Sequence, residues 1–213
     1  MTDPLASLLA YYEPLAALRR DFRGTATLHT PGSPLLAANA SYLLSGSDGD
    51  VLPLLRAWHH AHDAPPLVAS AGPLAGREPQ ESWRCGRYRP SGLHGPLAVE
   101  QVSRLHLSTF AGILAEAQGL PEWAGPLARS LAPRLEALPS STLLLAYAGS
   151  EAVGALLLLG AAAHLWATLD PGVDRALLDA AAELAGGTLE VSLTDTSPLS
   201  VEDQAEVSFT LLD

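Results

Sequence analysis

The chain has 213 residues, a formal charge of −11 and 48% hydrophobic residues. That length and composition suit a globular protein of one large or two small domains and exclude a disordered chain. All 12 basic residues are Arg, which excludes P-loop phosphate chemistry, Schiff bases and pyridoxal attachment, each of which needs a Lys amine.

The acidic balance also disfavours a nucleic-acid partner, because duplex binding requires phosphates to be neutralised. Cys85 is the single cysteine, so an intramolecular disulfide framework and a multi-Cys metal site are both excluded. No basic stretch precedes the first apolar run, so a signal peptide is not expected and the location is read as cytoplasmic.

In chain order, Pro4 to Arg20 reads as a helix, with Leu5, Leu8, Leu9, Tyr12, Leu15 and Leu18 at three- and four-residue steps. Asp3 is its candidate cap, and Pro14 should kink or divide it. Thr25–Thr30 and Ala40–Leu44 read as short strands around a Pro31-Gly32-Ser33-Pro34 turn. Asp50 is expected to cap a second helix carrying Val51, Leu54, Leu55 and Trp58 and ending near Asp63. Leu67–Ala71 and Trp83–Arg89 read as further strands, the latter a charged edge guarded against aggregation.

From Ala98 onward, Val99, Val102, Leu105, Phe110, Ile113 and Leu114 predict one helix, on which Glu100 and Arg104 should pair. Trp123, Leu127, Leu131, Leu135 and Leu138 predict a second, interrupted by Pro126 and Pro133. Strands are expected at 143–147, 153–159, 163–169, 188–194 and 206–212, with a helix at 173–185. The boundary between halves is placed at Gly92–Pro96, giving an N-terminal mixed α/β domain at 1–95 and a second domain at 96–213. The first half can be read as a degenerate duplicate of the second. Leu143–Leu169 is long enough to span a bilayer. Gly149, Ser150, Glu151 and His164 break it up, and a buried hairpin with no membrane role is the reading adopted.

The hairpin YAGSEAVGALLLL, then WATLDP, RALLDAAAELA and TLEVSLTD, together resemble the GNAT (Gcn5-related N-acetyltransferase) superfamily over roughly Ala98 to Asp213. The resemblance implies an α/β (α+β) fold with a mixed, mostly antiparallel central sheet flanked by helices. It implies an acyl-CoA-dependent N-acyltransferase, with acetyl-CoA or another acyl-CoA as cofactor and a small-molecule or protein amine as acceptor. It also implies a pantetheine arm against backbone groups of Ala167 and Leu169, phosphate at the amides of Gly172 and Val173, and Arg175 as the nearest cation. The family carries a Gln/Arg-x-x-Gly-x-Gly/Ala loop between its Asp-Pro and its helix. Here only Gly172, Val173 and Asp174 separate Pro171 from Arg175. Asp174 is expected to cap the helix and to occupy amides that a phosphate needs.

Other constellations are weaker. His59, His62 and Asp63 have ligand-like helical spacing, yet imidazoles at a helix C-terminus are favoured by the dipole alone, and no metal is expected. Cys85 lacks a neighbouring base. Glu151 and Tyr147 are available proton carriers with nothing to single them out, and no catalytic residue is assigned. The reading adopted is an acyl-CoA-dependent N-acyltransferase, degenerate at its phosphate loop; the alternative is a pseudoenzyme using the GNAT-like fold to bind a partner, a second copy of itself as a homodimer, or a small ligand other than CoA.

Overall fold

The computed structural model describes residues 3–44, 49–92 and 97–212. The chain packs as two compact units: Met1–Cys85 with Leu193–Asp195 and Asp203–Asp213, and Gly86–Ser192 with Thr196–Glu202. Of the boundary expected at Gly92–Pro96, residues 93–96 lie outside the described residues.

The first unit begins with helix α1 (Pro4–Tyr12), capped by the Asp3 side chain, which accepts from the Leu5 amide. The expected helix to Arg20 is cut short. Pro14 lies in a 3-10 turn, Glu13–Leu15, and Ala16 turns to extended backbone. Leu18–Phe22 then forms strand β1, antiparallel to β2 (Thr25–His29) with Phe22 opposite Thr25. Arg23 and Gly24 make the two-residue turn, both at positive φ (45° and 82°), the backbone that lets a tight hairpin follow the strand twist. β3 (Ser41–Leu43) pairs antiparallel with β2. Helix α2 (Leu52–Ala61) follows a 3-10 turn, Gly49–Val51, and its cap position is Val51 without a side-chain bond, so Asp50 is not the expected cap.

α2 leads into β4 (Leu67–Ala71), which runs parallel to β3. β5 (Glu81–Tyr88) follows. The last strand of the chain, numbered β11 (Glu202–Leu211), pairs antiparallel with β4. Val51, Leu55, Val68 and Leu212 form a buried cluster under Phe22, Leu43, Leu52 and Leu74. Each such aliphatic side chain contributes about 1.5–3 kcal/mol on burial.

In the second unit, Ala98–Val102 is strand β6 and not the first turns of a helix; it pairs antiparallel with β7 (Ser141–Ala148). Valines three apart fit a helix, but the segment finds its hydrogen bonds in the ladder. Glu100 therefore sits opposite Leu145, and Arg104 donates to the Leu138 carbonyl instead of pairing with Glu100. Helices α3 (Leu107–Ala117) and α4 (Ala124–Glu136) pack on each other, and α3 lies against the sheet with Phe110 and Leu114 buried. β8 (Glu151–Leu159) and β9 (Ala162–Thr168) continue the antiparallel meander. After β9 come a 3-10 turn (Pro171–Val173), helix α5 (Asp174–Leu184) and β10 (Leu189–Thr194), which is parallel to β9.

Among the described residues, each unit thus has a mostly antiparallel sheet with helices against it and a parallel strand–helix–strand step, β3–α2–β4 in the first and β9–α5–β10 in the second. Among the described residues, no helix is long and apolar enough to cross a membrane.

Candidate functional site

The site builds from the step between β9 and α5. β9 carries one residue more than β8 between the partner pairs Leu157↔Leu165 and Leu159↔Ala162. Such a bulge reverses which neighbour the backbone groups face. Before it, Ala161 accepts from the Glu190 amide on β10 at 2.8 Å. After it, the Leu169 amide donates to the Val153 carbonyl on β8 at 2.8 Å. Antiparallel pairs alternate, so the backbones of Leu165, Ala167 and Leu169 face β8, and those of His164, Trp166 and Thr168 face β10.

The parallel register runs through Glu190↔Ala162 and Val191↔Ala163. The next carbonyl along β10, that of Ser192, accepts from the indole Nε1 of Trp166 at 3.0 Å. A side chain takes the place of a rung, and the gap between β9 and β10 is spanned by that indole. The gap runs along β9, the strand on which a pantetheine arm is expected, but the Ala167 and Leu169 backbones expected to hold that arm face β8 and not the gap.

In the turn that follows β9, the amides of Gly172, Val173 and Asp174 are bonded to the chain's own groups. Asp170 is the cap: its Oδ1 accepts from the Gly172 amide at 2.8 Å and its carbonyl accepts from the Val173 amide at 2.9 Å. The Asp174 amide donates to the Pro171 carbonyl. Asp174 itself, expected as the cap, instead accepts a hydrogen bond from the Thr168 hydroxyl. Burial pushes its carboxyl up, with Asp170 adding to the shift and the Thr168 bond opposing it. Gly154 of β8 lets this turn come close: a Cβ there would sit 3.1 Å from both Ala146 and Val173 and 3.3 Å from Thr168.

Of the residues singled out from the sequence, Gly172 and Val173 are in the turn and Arg175 is exposed on the first turn of α5. Ala167 and Leu169 lie on the β8-facing register. An acyl-CoA pyrophosphate would need amides that are already bonded, beside two carboxylates, with Arg175 as the one cation in the stretch 168–175. Those groups do not fit it.

Residues that pattern reading passed over hold the α5 surface. Asp179, buried on α5, accepts from the Tyr88 hydroxyl at 2.6 Å, the Ser91 hydroxyl at 2.6 Å and the Ser91 amide at 3.0 Å. Tyr88 is thereby raised well above the usual phenol range, burial being the larger cause and Asp179 the next. Trp83–Arg89 is not the solvent-facing guarded edge expected, since Cys85 and Tyr88 are both buried. Burial pushes the Cys85 thiol up to about 12, which disqualifies it as a nucleophile.

In the first unit the histidines join an aromatic cluster. His62 stacks on Trp58 with ring centroids 4.1 Å apart, and His29 meets both rings edge-on. His59 Nε2 lies 2.9 Å from the Ser41 hydroxyl, which lies 2.8 Å from that of Thr27. Among the described residues, no group of three His, Cys, Asp or Glu side chains could hold a metal ion.

No protein-family model matches the sequence, and no curated protein matches it. Solved structures do. A GCN5-related N-acetyltransferase from Kribbella flavida superposes with a TM-score of 0.59 over 99% of this chain and 96% of that one, at 11% identity. A functionally unknown conserved protein from Staphylococcus epidermidis gives 0.55 over 90% of this chain and 92% of that one, at 10% identity. At such identities the likeness concerns the fold. The chain has a GNAT-like fold, and the likeness extends well beyond the stretch from Ala98 that carries the sequence resemblance.

Proposed function

We propose that this chain is a non-catalytic binding module built on the GNAT-like fold, with the place of an acyl-CoA pyrophosphate filled by the protein's own groups. One observation carries the reading: the amides of Gly172, Val173 and Asp174 are all accepted internally, two of them by Asp170. An incoming phosphate would have to displace a capping carboxylate and then remain beside it and beside Asp174. Loss of the cap and like-charge repulsion both oppose that exchange. The partner on this reading is a protein surface, a second copy of the chain, or a small ligand without a pyrophosphate.

A second reading, an acyl-CoA-dependent N-acyltransferase acting on a primary amine of a small molecule or protein, is favoured by the gap beside β9. There, backbone groups of Trp166 and Thr168 are turned toward β10 as an extended ligand would need. Isothermal titration of the full chain with acetyl-CoA separates the two. No binding at millimolar cofactor, together with no release of CoA thiol in the presence of primary amines, is the result the module reading requires. Micromolar binding with amine-dependent thiol release would overturn it in favour of the transferase.

A further inference from the structure

We infer that the Trp166 indole is a resident plug in the gap between β9 and β10, lying where an extended amide chain of the pantetheine type would run. This rests on the reading of the filled turn above and adds to it a specificity-determining residue. The argument begins with the ladder. A parallel pair offers one carbonyl acceptor per rung, evenly spaced. Ser192 is the first residue of β10 beyond the last partner pair, Val191↔Ala163, and its carbonyl needs a donor from the β9 side. The bulge in β9 has turned the Leu165 backbone toward β8. An unfilled acceptor here would have to be met by water or by a ligand amide. The Trp166 N–H fills it at 3.0 Å.

An indole suits the position for two reasons. Tryptophan brings a large apolar body with a single N–H, so it can fill a slot and satisfy one polar group together. Ala167 after it is small, and His164 and Leu165 before it are buried, which leaves the half-buried indole as the bulky side chain of β9 available to the gap. A ligand chain entering along β9 must evict the ring and replace its hydrogen bond. The plug and the capped turn thus act on two different portions of one ligand class: Asp170 against the phosphates, Trp166 against the amide arm.

The test uses the full chain and D-pantetheine, which has the amide arm and no phosphate. W166A, with a circular dichroism spectrum matching wild type, should bind pantetheine at least about tenfold more tightly than wild type does. W166F, which keeps the bulk and loses the N–H, should stay near wild type. A folded W166A that binds no better, or a W166F that gains as much, would overturn the plug. A wild-type measurement guards against W166A failing to fold. The Trp166 indole proton should exchange with solvent at least about a hundredfold more slowly than a free indole, and unprotected exchange would overturn the proposal alone. Acetyl-CoA binding by wild type sinks the filled-turn reading, whereas refusal of pantetheine by folded W166A sinks only the plug.

Discussion

Replacing Asp179 with Ala is the most demanding test of the second unit's architecture. The carboxylate receives three hydrogen bonds, and its donors differ in what they lose. The Ser91 hydroxyl and amide lie at the surface and recover water when the acceptor goes. The Tyr88 hydroxyl belongs to a buried ring, 5% exposed, and is left without an acceptor. Stranding a buried donor costs about 1–3 kcal/mol, and a bond to a charged group is worth about 1.5–3 kcal/mol. Since the surface pair is partly replaced by solvent, Asp179→Ala should destabilise by about 3 kcal/mol, and Tyr88→Phe by about 1.5 kcal/mol. The double variant should lose less than the sum by about 1–2 kcal/mol, because it removes donor and acceptor together. Urea unfolding followed by circular dichroism gives all three values. For a chain of this length the single Asp179→Ala change should lower Tm by about 6–12 °C. A loss below about 1 kcal/mol, or additivity within about 0.5 kcal/mol, would refute the claim that α5 is pinned through this carboxylate.

Asp170→Ala removes the cap and should destabilise by about 1 kcal/mol while increasing sulfate affinity at the freed Gly172 amide; unchanged sulfate binding would show that the cap does not mask an anion site. His59 is held neutral by burial, its pKa lowered to about 4. The unfolded chain therefore takes up a proton that the folded chain refuses, and stability should fall as pH drops from about 6.5 toward 4 with a slope of up to about 1.4 kcal/mol per pH unit. Chemical denaturation across that range should show a shallower fall for His59→Gln. Gly86→Ala would place a Cβ 2.6 Å from the Glu202 carbonyl oxygen and 2.8 Å from a Val201 methyl, so a loss of about 1–3 kcal/mol by urea unfolding is expected from overpacking. Cys85 should react with a disulfide reagent at pH 8 at least about a hundredfold more slowly in the native chain than in urea, which makes its labelling rate a measure of opening.

Where local chemistry decides the structure, the sequence was a good guide. The run from β7 to β10 is legible because apolar strands alternate with Gly149, Gly160 and the Asp170-Pro171-Gly172 turn, each of which has one physical use. Leu18 misled because it keeps a three-residue step from Leu15 beyond Pro14, and Arg23 gives no warning that it adopts positive φ. Val99 and Val102 misled in the same way: three-residue spacing fits a helix, but pairing with Leu143–Tyr147 decides the outcome. The cap was assigned to Asp174 when Asp170, directly before Pro171, carries the stronger signature. The Trp166–Ser192 bond joins residues 26 apart, and the bulge is a relation between strands, so neither has a local pattern to read.

Among the described residues, β1 leaves one edge of the first unit's sheet without a neighbouring strand. Three successive charged side chains, Arg19, Arg20 and Asp21, occupy it, with Arg19 also bridged to Glu13. A foreign strand docking there would have to dehydrate those ions before gaining any backbone bond, which is how natural sheets resist fibrillar growth. Neutralising that trio would remove a colloidal safeguard while leaving the interior of the protein untouched.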